Sequence, residues 1–295
     1  MSCEVHASEA TLGAVVTGVR LAALGDADWR TIEDAFHAHG VLVFPGQHLD
    51  RAAQAAFGRR FGEFDALVAQ TGTVPISNLQ ADGRLRDAAD PILAILRGNE
   101  GWHTDSSYMP LAEKASILSA EVVTTRGGET EWADMRAAWD ALAPELKARI
   151  EGRTAYHSLV YSQAKIGGAD PGGFKYGYEG HEPPLRPLIK RHPVTGRRSL
   201  FIGRHAYGVS GLSESESGKL LDELLAFACQ PPRVWHHRWQ AGDVAVWDNR
   251  CLLHRARPFD PAEPRVMHHT RIAGDRATES GLQSGTNPRT IERGE

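Results

Sequence analysis

The chain has 295 residues, of which 41% are hydrophobic and 24% are charged, and such a composition is ordinary for a globular protein. Its formal net charge of -4 argues against nucleic-acid binding, because nucleic-acid-binding domains carry an excess of Lys and Arg. The longest apolar runs, such as residues 41–44, are far shorter than the roughly 20 residues of a membrane-spanning helix. We therefore predict no nucleic-acid partner and no membrane segment.

The cysteines Cys3, Cys229 and Cys251 are scattered and form no CxxC pair, so the sequence indicates neither a disulfide framework nor a zinc knuckle. The N-terminus also lacks the basic and apolar regions of a secretory signal. We therefore predict a cytoplasmic protein, since free thiols persist in reducing compartments. We expect residues 1–295 to form one domain and the protein to be a homo-oligomer.

Helix and strand patterns alternate unevenly along the chain, with more strand signal towards the C-terminus. A first helix is predicted to start with Asp26 as its cap and to end at Gly40, because the apolar residues between them recur on one helical face. Ser213 and Glu216 have the spacing of a capping box, which predicts another helix start. Further helices are predicted at 50–61 and after Asp134, and strands at 11–21, 41–44, 233–239, 244–247 and 265–272.

The segment from residue 162 to residue 184 is rich in Gly, Pro and Tyr. This composition does not form a core element, so we predict a long surface loop. Loops of this length are often functional, and we interpret 162–184 as a lid over a binding site.

A short motif, Trp102-His103-Thr104-Asp105, contains the first candidate metal ligands. In an extended segment residues i and i+2 point to the same side, so His103 and Asp105 can direct an imidazole nitrogen and a carboxylate oxygen to one point. These are two members of a 2-His-1-carboxylate triad, which leaves open coordination positions on Fe(II). Taken alone, the motif more often means a surface His beside a solvated Asp.

Further polar positions follow near the C-terminus. His254 comes after a predicted buried strand, where it is either a core histidine or a third ligand. Alternation along the next strand places on one face Arg265, Met267, His269 and Arg271. That face is too polar for plain core packing. It suits a pocket for a dianion, because a guanidinium can bind a carboxylate through two parallel hydrogen bonds.

The combination of HxD, a distant His and an Arg after ten intervening residues resembles the Fe(II)/2-oxoglutarate dioxygenases. In particular, the chain resembles the taurine/2,4-dichlorophenoxyacetate dioxygenase (TauD/TfdA) family, and within it the (S)-aryloxypropionate dioxygenases. The similarity runs nearly from end to end of the chain. Matching stretches include 40–47, 57–62, 102–105, 127–130 and 247–254.

This resemblance implies a mainly β fold with flanking helices, a double-stranded β-helix or jelly roll. It implies that His103, Asp105 and His254 bind Fe(II). It further implies that Arg265 binds the distal carboxylate of 2-oxoglutarate and that the Thr130 hydroxyl donates to the same carboxylate. With O₂ as the other co-substrate, the protein would oxidise a small organic acid.

The resemblance leaves the residues that bind this acid open. Taurine-type members carry a second Arg four residues after the 2-oxoglutarate Arg, whereas this chain has His269. Another cation is therefore expected to hold the substrate anion. Arg204 matches a basic position of the aryloxypropionate enzymes, and Arg271 is a second candidate. Asn99 matches a family position near the substrate, so the predicted substrate-binding residues are Asn99, Arg204, His269 and Arg271.

The resemblance favours an aryloxyalkanoate such as (S)-2-phenoxypropionate, with ether cleavage to a phenol and a keto acid. The same chemistry on an N-acyl amino acid, an alkyl sulfate or a sulfonate is the main alternative. A second alternative is a non-catalytic jelly roll that binds a small acid or a metal. A zinc hydrolase is a weaker option, because the sequence offers no partner for a hydrolytic general base.

Overall fold

The structure, a computed structural model, describes residues 2–167 and 181–282. The strands are β1 (Glu4–Ala7), β2 (Ala14–Thr17), β3 (Val41–Phe44), β4 (Val74–Ser77), β5 (Glu113–Val122), β6 (Thr130–Asp134), β7 (Thr154–His157), β8 (Leu185–Pro187), β9 (Ile189–Arg191), β10 (Arg198–Leu200), β11 (Ala206–Tyr207), β12 (Val234–His237), β13 (Val244–Asp248), β14 (Leu252–Ala256) and β15 (Val266–Ala273). The helices are α1 (Asp26–His39), α2 (Arg51–Phe61), α3 (Pro91–Gly98), α4 (Met135–Ala141), α5 (Pro144–Ile150), α6 (Leu159–Ala164), α7 (Glu214–Ala228) and α8 (Arg276–Glu279), with a 3-10 helix at Leu21–Ala23.

Two sheets form the centre of the fold. The larger has the strand order β1-β2-β3-β13-β5-β15-β4, and the smaller has the order β12-β6-β14. Most neighbouring strands are antiparallel, whereas β2 and β3 are parallel. Side chains from both sheets meet in one buried cluster, which includes Leu118, Trp132, Trp247, Leu252 and Met267. The predicted jelly-roll class is therefore confirmed, because two packed sheets enclose a common interior.

The helices α1 and α2 cover the outer face of the larger sheet. Ile32 and Phe36 of α1 and Phe57 of α2 pack against strand residues such as Ile117 and Val246, all of them buried. The inner face of the larger sheet packs against the smaller sheet and also borders a cavity. No helix in residues 2–167 and 181–282 is long and apolar enough to cross a bilayer.

The helix ends test three of the sequence predictions. Gly40 ends α1 with φ 76, as predicted for a C-terminal glycine. The capping box of α7 is confirmed, because the Ser213 hydroxyl accepts from the Glu216 backbone and the Glu216 carboxylate accepts from the Ser213 backbone. Asp26 is not the cap of α1, and that prediction was wrong. Gly25 occupies the cap position without a side-chain bond, and Asp26 lies in the first turn, where its charge favours the helix N-terminus.

The predicted lid segment, 162–184, is only partly a loop. Residues 162–164 form the last part of α6, so the predicted boundary was wrong there. The helix begins after Ser158, whose hydroxyl caps it by accepting from the Tyr161 backbone. Residues 168–180 lie outside the described part of the chain, and the lid stays a prediction.

Candidate metal and co-substrate site

The two candidate histidine ligands are brought together by backbone pairing. The His103 N–H donates to the His254 carbonyl at 3.0 Å, and the His254 N–H donates to the His103 carbonyl at 2.8 Å. This isolated antiparallel bridge joins the HxD segment to β14. Between the candidate ligands His103 and Asp105, Thr104 donates its hydroxyl to the Leu252 carbonyl at 2.7 Å and is thus held within the protein. His103 and Asp105 are therefore free to face the interior together.

The donor atoms of the three candidate ligands lie close together. Nε2 of His103 lies 3.8 Å from Oδ1 of Asp105, and Nε2 of His254 lies 3.4 Å from Oδ2. One donor atom of each residue lies within 4.8 Å of the other two. Metal–ligand bonds of about 2.0–2.2 Å place neighbouring ligands of an octahedral ion about 3 Å apart. The observed spacing fits a transition-metal ion between His103, Asp105 and His254.

Hydrogen bonding and burial prepare the histidines as ligands. Nδ1 of His103 lies 2.8 Å from the Gly101 carbonyl. Because a carbonyl only accepts, Nδ1 donates and the lone pair of Nε2 is available to a metal. Burial, with a smaller contribution from His254, lowers the pKa of His103 to about 3. Burial also lowers the pKa of His254. Both rings are therefore neutral at pH 7, as metal ligation requires.

A buried guanidinium and a hydroxyl face the same cavity. The Arg265 side chain donates to the Gly128 carbonyl at 3.1 Å and makes no ion pair with a carboxylate of the described residues. Burial lowers the pKa of Arg265 to about 10. An unpaired buried charge is costly, so this position indicates an anionic ligand. Thr130 Oγ1 accepts from Trp239 Nε1 at 3.0 Å, which leaves its own proton to donate to that anion.

The cavity has a volume of about 1050 Å³ and a lining of two chemical kinds. The polar lining includes His103, Asp105, His254, Thr130 and Arg265. The apolar lining includes Ile76, Leu79, Ile92, Ile95, Leu96 and Leu159. A cavity with convergent polar groups and an extensive apolar wall is typical of a binding site for a small organic molecule.

Comparison with known proteins identifies this architecture. The family described as "Taurine catabolism dioxygenase TauD, TfdA family" matches residues 4–272. The chain belongs to the TauD/TfdA family. The predicted resemblance is confirmed, and the chain is an oxidoreductase of this dioxygenase class.

Individual TauD/TfdA relatives match over most of their length. The "(S)-phenoxypropionate/alpha-ketoglutarate-dioxygenase" of Sphingobium herbicidovorans is 52% identical over 280 residues, covering 93% of this chain and 96% of that protein. The protein of the same name from Delftia acidovorans is 48% identical, covering 87% and 90%. The crystal structure of AAD-2 in complex with Mn(II) and N-oxalylglycine has a TM-score of 0.88 and 36% identity, and the match covers 96% of this chain and 100% of that one.

All four predicted substrate-binding residues line the same cavity in this TauD/TfdA chain, namely Asn99, Arg204, His269 and Arg271. The two arginines differ sharply in their pairing. Arg271 forms an ion pair with Glu113 and donates to the Ser106 hydroxyl. Arg204 donates one Nη to the Gly98 carbonyl, while its other Nη is buried without a hydrogen-bond partner among the described residues. Arg204 is thus the better placed of the two for a substrate anion.

The other two candidates have different surroundings in the cavity. His269 stacks on Trp247 with an interplanar angle of 8°, and its Nε2 lies 3.8 Å from Asp105 Oδ2. That Nε2 has no hydrogen-bond partner among the described residues. Asn99 is the C-cap of α3, and its carbonyl accepts from the Ala256 backbone at 2.8 Å. Their substrate-binding roles stay predictions.

Sequence reasoning missed several residues that shape the TauD/TfdA site. Tyr108 and His205 also line the cavity, and their rings lie 4.9 Å apart. Ser116 donates to Asp105 Oδ2 at 2.7 Å from strand β5. The sequence contained a weak indication of Ser116, which is a polar residue between the apolar residues Ala115 and Ile117. It contained no indication of Tyr108 or His205, since only the folded chain places them side by side.

Proposed function

We propose that this protein is an Fe(II)- and 2-oxoglutarate-dependent dioxygenase that hydroxylates an aryloxyalkanoate, with (S)-2-phenoxypropionate as the preferred class of substrate. The central observation is that two neutral histidines and the Asp105 carboxylate share one cavity with the guanidinium of Arg265, which has no carboxylate partner among the described residues. The phenoxypropionate dioxygenases that are 52% and 48% identical support the substrate class.

The co-substrate assignment follows from chemical complementarity. N-oxalylglycine, present in the AAD-2 structure, differs from 2-oxoglutarate only by an NH in place of a CH₂. In this chain Arg265 would hold the distal carboxylate through parallel hydrogen bonds, and Thr130 would add a third. His103, Asp105 and His254 would hold Fe(II) and leave three coordination positions open.

When bound, Fe(II) supplies the activation of O₂ that couples oxidation of 2-oxoglutarate to succinate and CO₂ with insertion of an oxygen atom into a substrate C–H bond. The protein orients the reactants and keeps water out of the cavity. Arg204 would bind the substrate carboxylate, and the apolar wall would hold the aryl ring. Asp105 supplies a carboxylate ligand where a halogenase has an open position, so we expect hydroxylation. Hydroxylation beside the ether oxygen gives a product that collapses to a phenol and a keto acid.

The decisive experiment measures succinate with purified protein, Fe(II), 2-oxoglutarate and O₂, with and without (S)-2-phenoxypropionate. We expect succinate and phenol in equal amounts. The variants His103→Ala and Asp105→Ala should form neither product, because each removes a metal ligand. Turnover at the wild-type rate in either variant would contradict the metal site.

A panel of acids separates the alternatives. An alkyl-sulfate preference has some support, because the "Alpha-ketoglutarate-dependent sulfate ester dioxygenase" of Pseudomonas putida is 31% identical over 268 residues. Larger succinate yields with an alkyl sulfate, a sulfonate or an N-acyl amino acid would move the assignment to that acid. A non-catalytic acid-binding protein would leave 2-oxoglutarate intact in every reaction.

The cellular setting belongs to the same proposal. Cys3, Cys229 and Cys251 are free thiols, which supports a reducing compartment such as the cytoplasm. We further propose a homo-oligomer, in which exposed apolar side chains such as Tyr156, Val160 and Ile166 would be available for contact. Light scattering of the purified protein would give the subunit number, and a monomer at all concentrations would contradict the homo-oligomer.

A further inference from the structure

A chain of buried polar side chains lies behind the metal ligand Asp105. Trp247 Nε1 is 3.1 Å from Asn249 Oδ1, and Asn249 Nδ2 is 2.8 Å from Ser116 Oγ. Ser116 Oγ is in turn 2.7 Å from Asp105 Oδ2. Trp247, Asn249 and Ser116 are all nearly inaccessible to solvent. Two of them belong to the Trp247-Asp248-Asn249 motif, and the reaction proposed above assigns this motif no task.

The direction of each hydrogen bond in this chain is determined by its first member. An indole nitrogen can only donate, so the Asn249 atom that faces Trp247 must be the amide oxygen. The atom of Asn249 that faces Ser116 is then the NH₂ group, which can only donate. Ser116 Oγ therefore accepts from Asn249, and its single proton must be donated elsewhere.

Two carboxylates lie within reach of that proton. Asp105 Oδ2 is 2.7 Å from Ser116 Oγ, whereas Glu113 Oε2 is 3.3 Å away. The other oxygen of Glu113 already accepts from Arg271 and from the Ser106 hydroxyl. Asp105 is therefore the closer acceptor for the Ser116 proton. The other candidate, Glu113, already accepts hydrogen bonds from Arg271 and Ser106.

We propose that Asn249 and Ser116 are positioning residues, which together hold the Asp105 carboxylate in the orientation that binds the metal. The inference rests on the function proposed above, because it requires Asp105 to be a ligand. Hydrogen bonds to a metal-bound carboxylate typically change metal affinity by about 10- to 100-fold when they are removed. Asn249 also binds the Asp105 backbone, since the Asp105 N–H donates to Asn249 Oδ1 at 3.4 Å.

The test is the Mn(II) affinity of the metal-free full-length protein, measured by the electron paramagnetic resonance signal of free Mn(II). Ser116→Ala should weaken Mn(II) binding by about 10- to 100-fold. Ser119→Ala is the matched control: Ser119 lies on the same strand β5, is buried, and donates its hydroxyl to Gln54 on the opposite face at 2.6 Å. Ser116→Ala loses two buried hydrogen bonds and Ser119→Ala loses one, so the melting temperature should fall in both. Equal Mn(II) affinity in the two variants would overturn the proposal.

A double-mutant cycle tests whether Asn249 acts through Ser116. Asn249→Ala should weaken Mn(II) binding, and the loss in the double variant Ser116→Ala/Asn249→Ala should be smaller than the sum of the two single losses, because Asn249 acts partly through Ser116 and partly on the Asp105 N–H. Losses that add in the double variant would show independent actions and would overturn the relay. If Ser116→Ala does not fold, Asn249→Ala against Ser119→Ala carries the same comparison.

A third arm separates this inference from the proposed function. The wild-type protein should bind Mn(II), and His103→Ala should not. If the wild type does not bind, the metal site itself is wrong, and the proposed function fails together with the inference. If the wild type binds but Ser116→Ala binds as tightly as Ser119→Ala, only the positioning role fails.

Discussion

The polar and the apolar lining of the cavity are built in different ways. In the polar lining, His103 and His254 are held by reciprocal backbone hydrogen bonds, and both are less than a tenth exposed. Half of the six apolar residues named for the cavity belong to α3, whose only buried residue is Gly98. Ile92, Ile95 and Leu96 of this apolar helix remain half-buried and line the cavity. The two candidate histidine ligands are thus fixed by backbone pairing, whereas much of the apolar lining belongs to a short helix.

Arg204 links these two regions. One Nη donates to the carbonyl of Gly98 at the C-terminal end of α3, where a cation is favourable because the last carbonyls of a helix lack partners. The other Nη is available in the cavity. A substrate carboxylate bound by Arg204 would therefore be held at a defined place relative to the apolar wall. This difference between the two linings predicts that variants in the polar lining alter 2-oxoglutarate binding, whereas variants of α3 alter only substrate binding.

The largest of these effects is expected at Arg265. Arg265→Ala should raise the 2-oxoglutarate KM by about 100-fold, since charge-assisted hydrogen bonds contribute about 1.5–3 kcal/mol each. Arg265→Lys is the control that keeps the charge without the planar fork, and it should recover only part of the affinity. Steady-state succinate formation gives both values. An unaltered 2-oxoglutarate KM in Arg265→Ala would remove Arg265 from the co-substrate site.

A smaller and more selective effect is expected at Ile95. Ile95→Ala should raise the KM for phenoxypropionate by about 10-fold, because it removes apolar surface at about 25 cal/mol per Å². The KM for 2-oxoglutarate should not change. Leu93→Ala provides the control, since Leu93 is half-buried on α3 but is not part of the cavity wall. If Ile95→Ala changed the KM for phenoxypropionate and the KM for 2-oxoglutarate by similar factors, the polar and apolar linings would not act independently.

Behind the cavity, His157 makes the stability of the scaffold depend on pH. Its ring is buried against Phe201, and neither ring nitrogen has a hydrogen-bond partner among the described residues. Burial, followed by the charges of Arg186 and Lys190, lowers the pKa of His157 from 6.5 to about 3. Between these values the unfolded chain binds the proton and the native protein does not, so stability falls as the pH falls below 6.5.

The variant His157→Phe should therefore lose less stability in acid than the wild type. At pH 5 the difference in this pH-dependent loss should be about 2 kcal/mol, since each pKa unit corresponds to about 1.4 kcal/mol. Urea unfolding at pH 7 and pH 5 measures it. If the free energy of unfolding fell by the same amount between pH 7 and pH 5 in the wild type and in His157→Phe, His157 would not be the group responsible for the loss.

The smallest effect is expected far from the cavity, at the start of α7. Ser213→Ala should lower the free energy of unfolding by about 1 kcal/mol, because it removes the hydroxyl that accepts from the Glu216 backbone. The KM values for both ligands should stay at the wild-type level. A change in either KM would show that α7 is coupled to the cavity.

Much of the local structure could be predicted because it depends on neighbours in the chain. The capping box of Ser213 and Glu216 and the stop at Gly40 follow from interactions within a few residues. The wrong cap at Asp26 has a local cause too, since Gly25 and Asp26 are both acceptable at a helix start and the sequence does not distinguish them. Residues 162–164 were wrongly predicted as loop, because they were grouped with the Gly- and Pro-rich residues that follow. They belong to a helix capped by Ser158.

The sequence by itself determined which residue types are available: the HxD pair, a distant His and a face of alternating polar residues on β15. Only the tertiary structure decided which of two similar arginines is free to meet an anion. Arg271 is paired with Glu113, which lies 158 positions away in the chain, whereas one Nη of Arg204 has no hydrogen-bond partner in residues 2–167 and 181–282. The physical reason is that burial and ion pairing arise from contacts between distant segments, and no local pattern records such contacts.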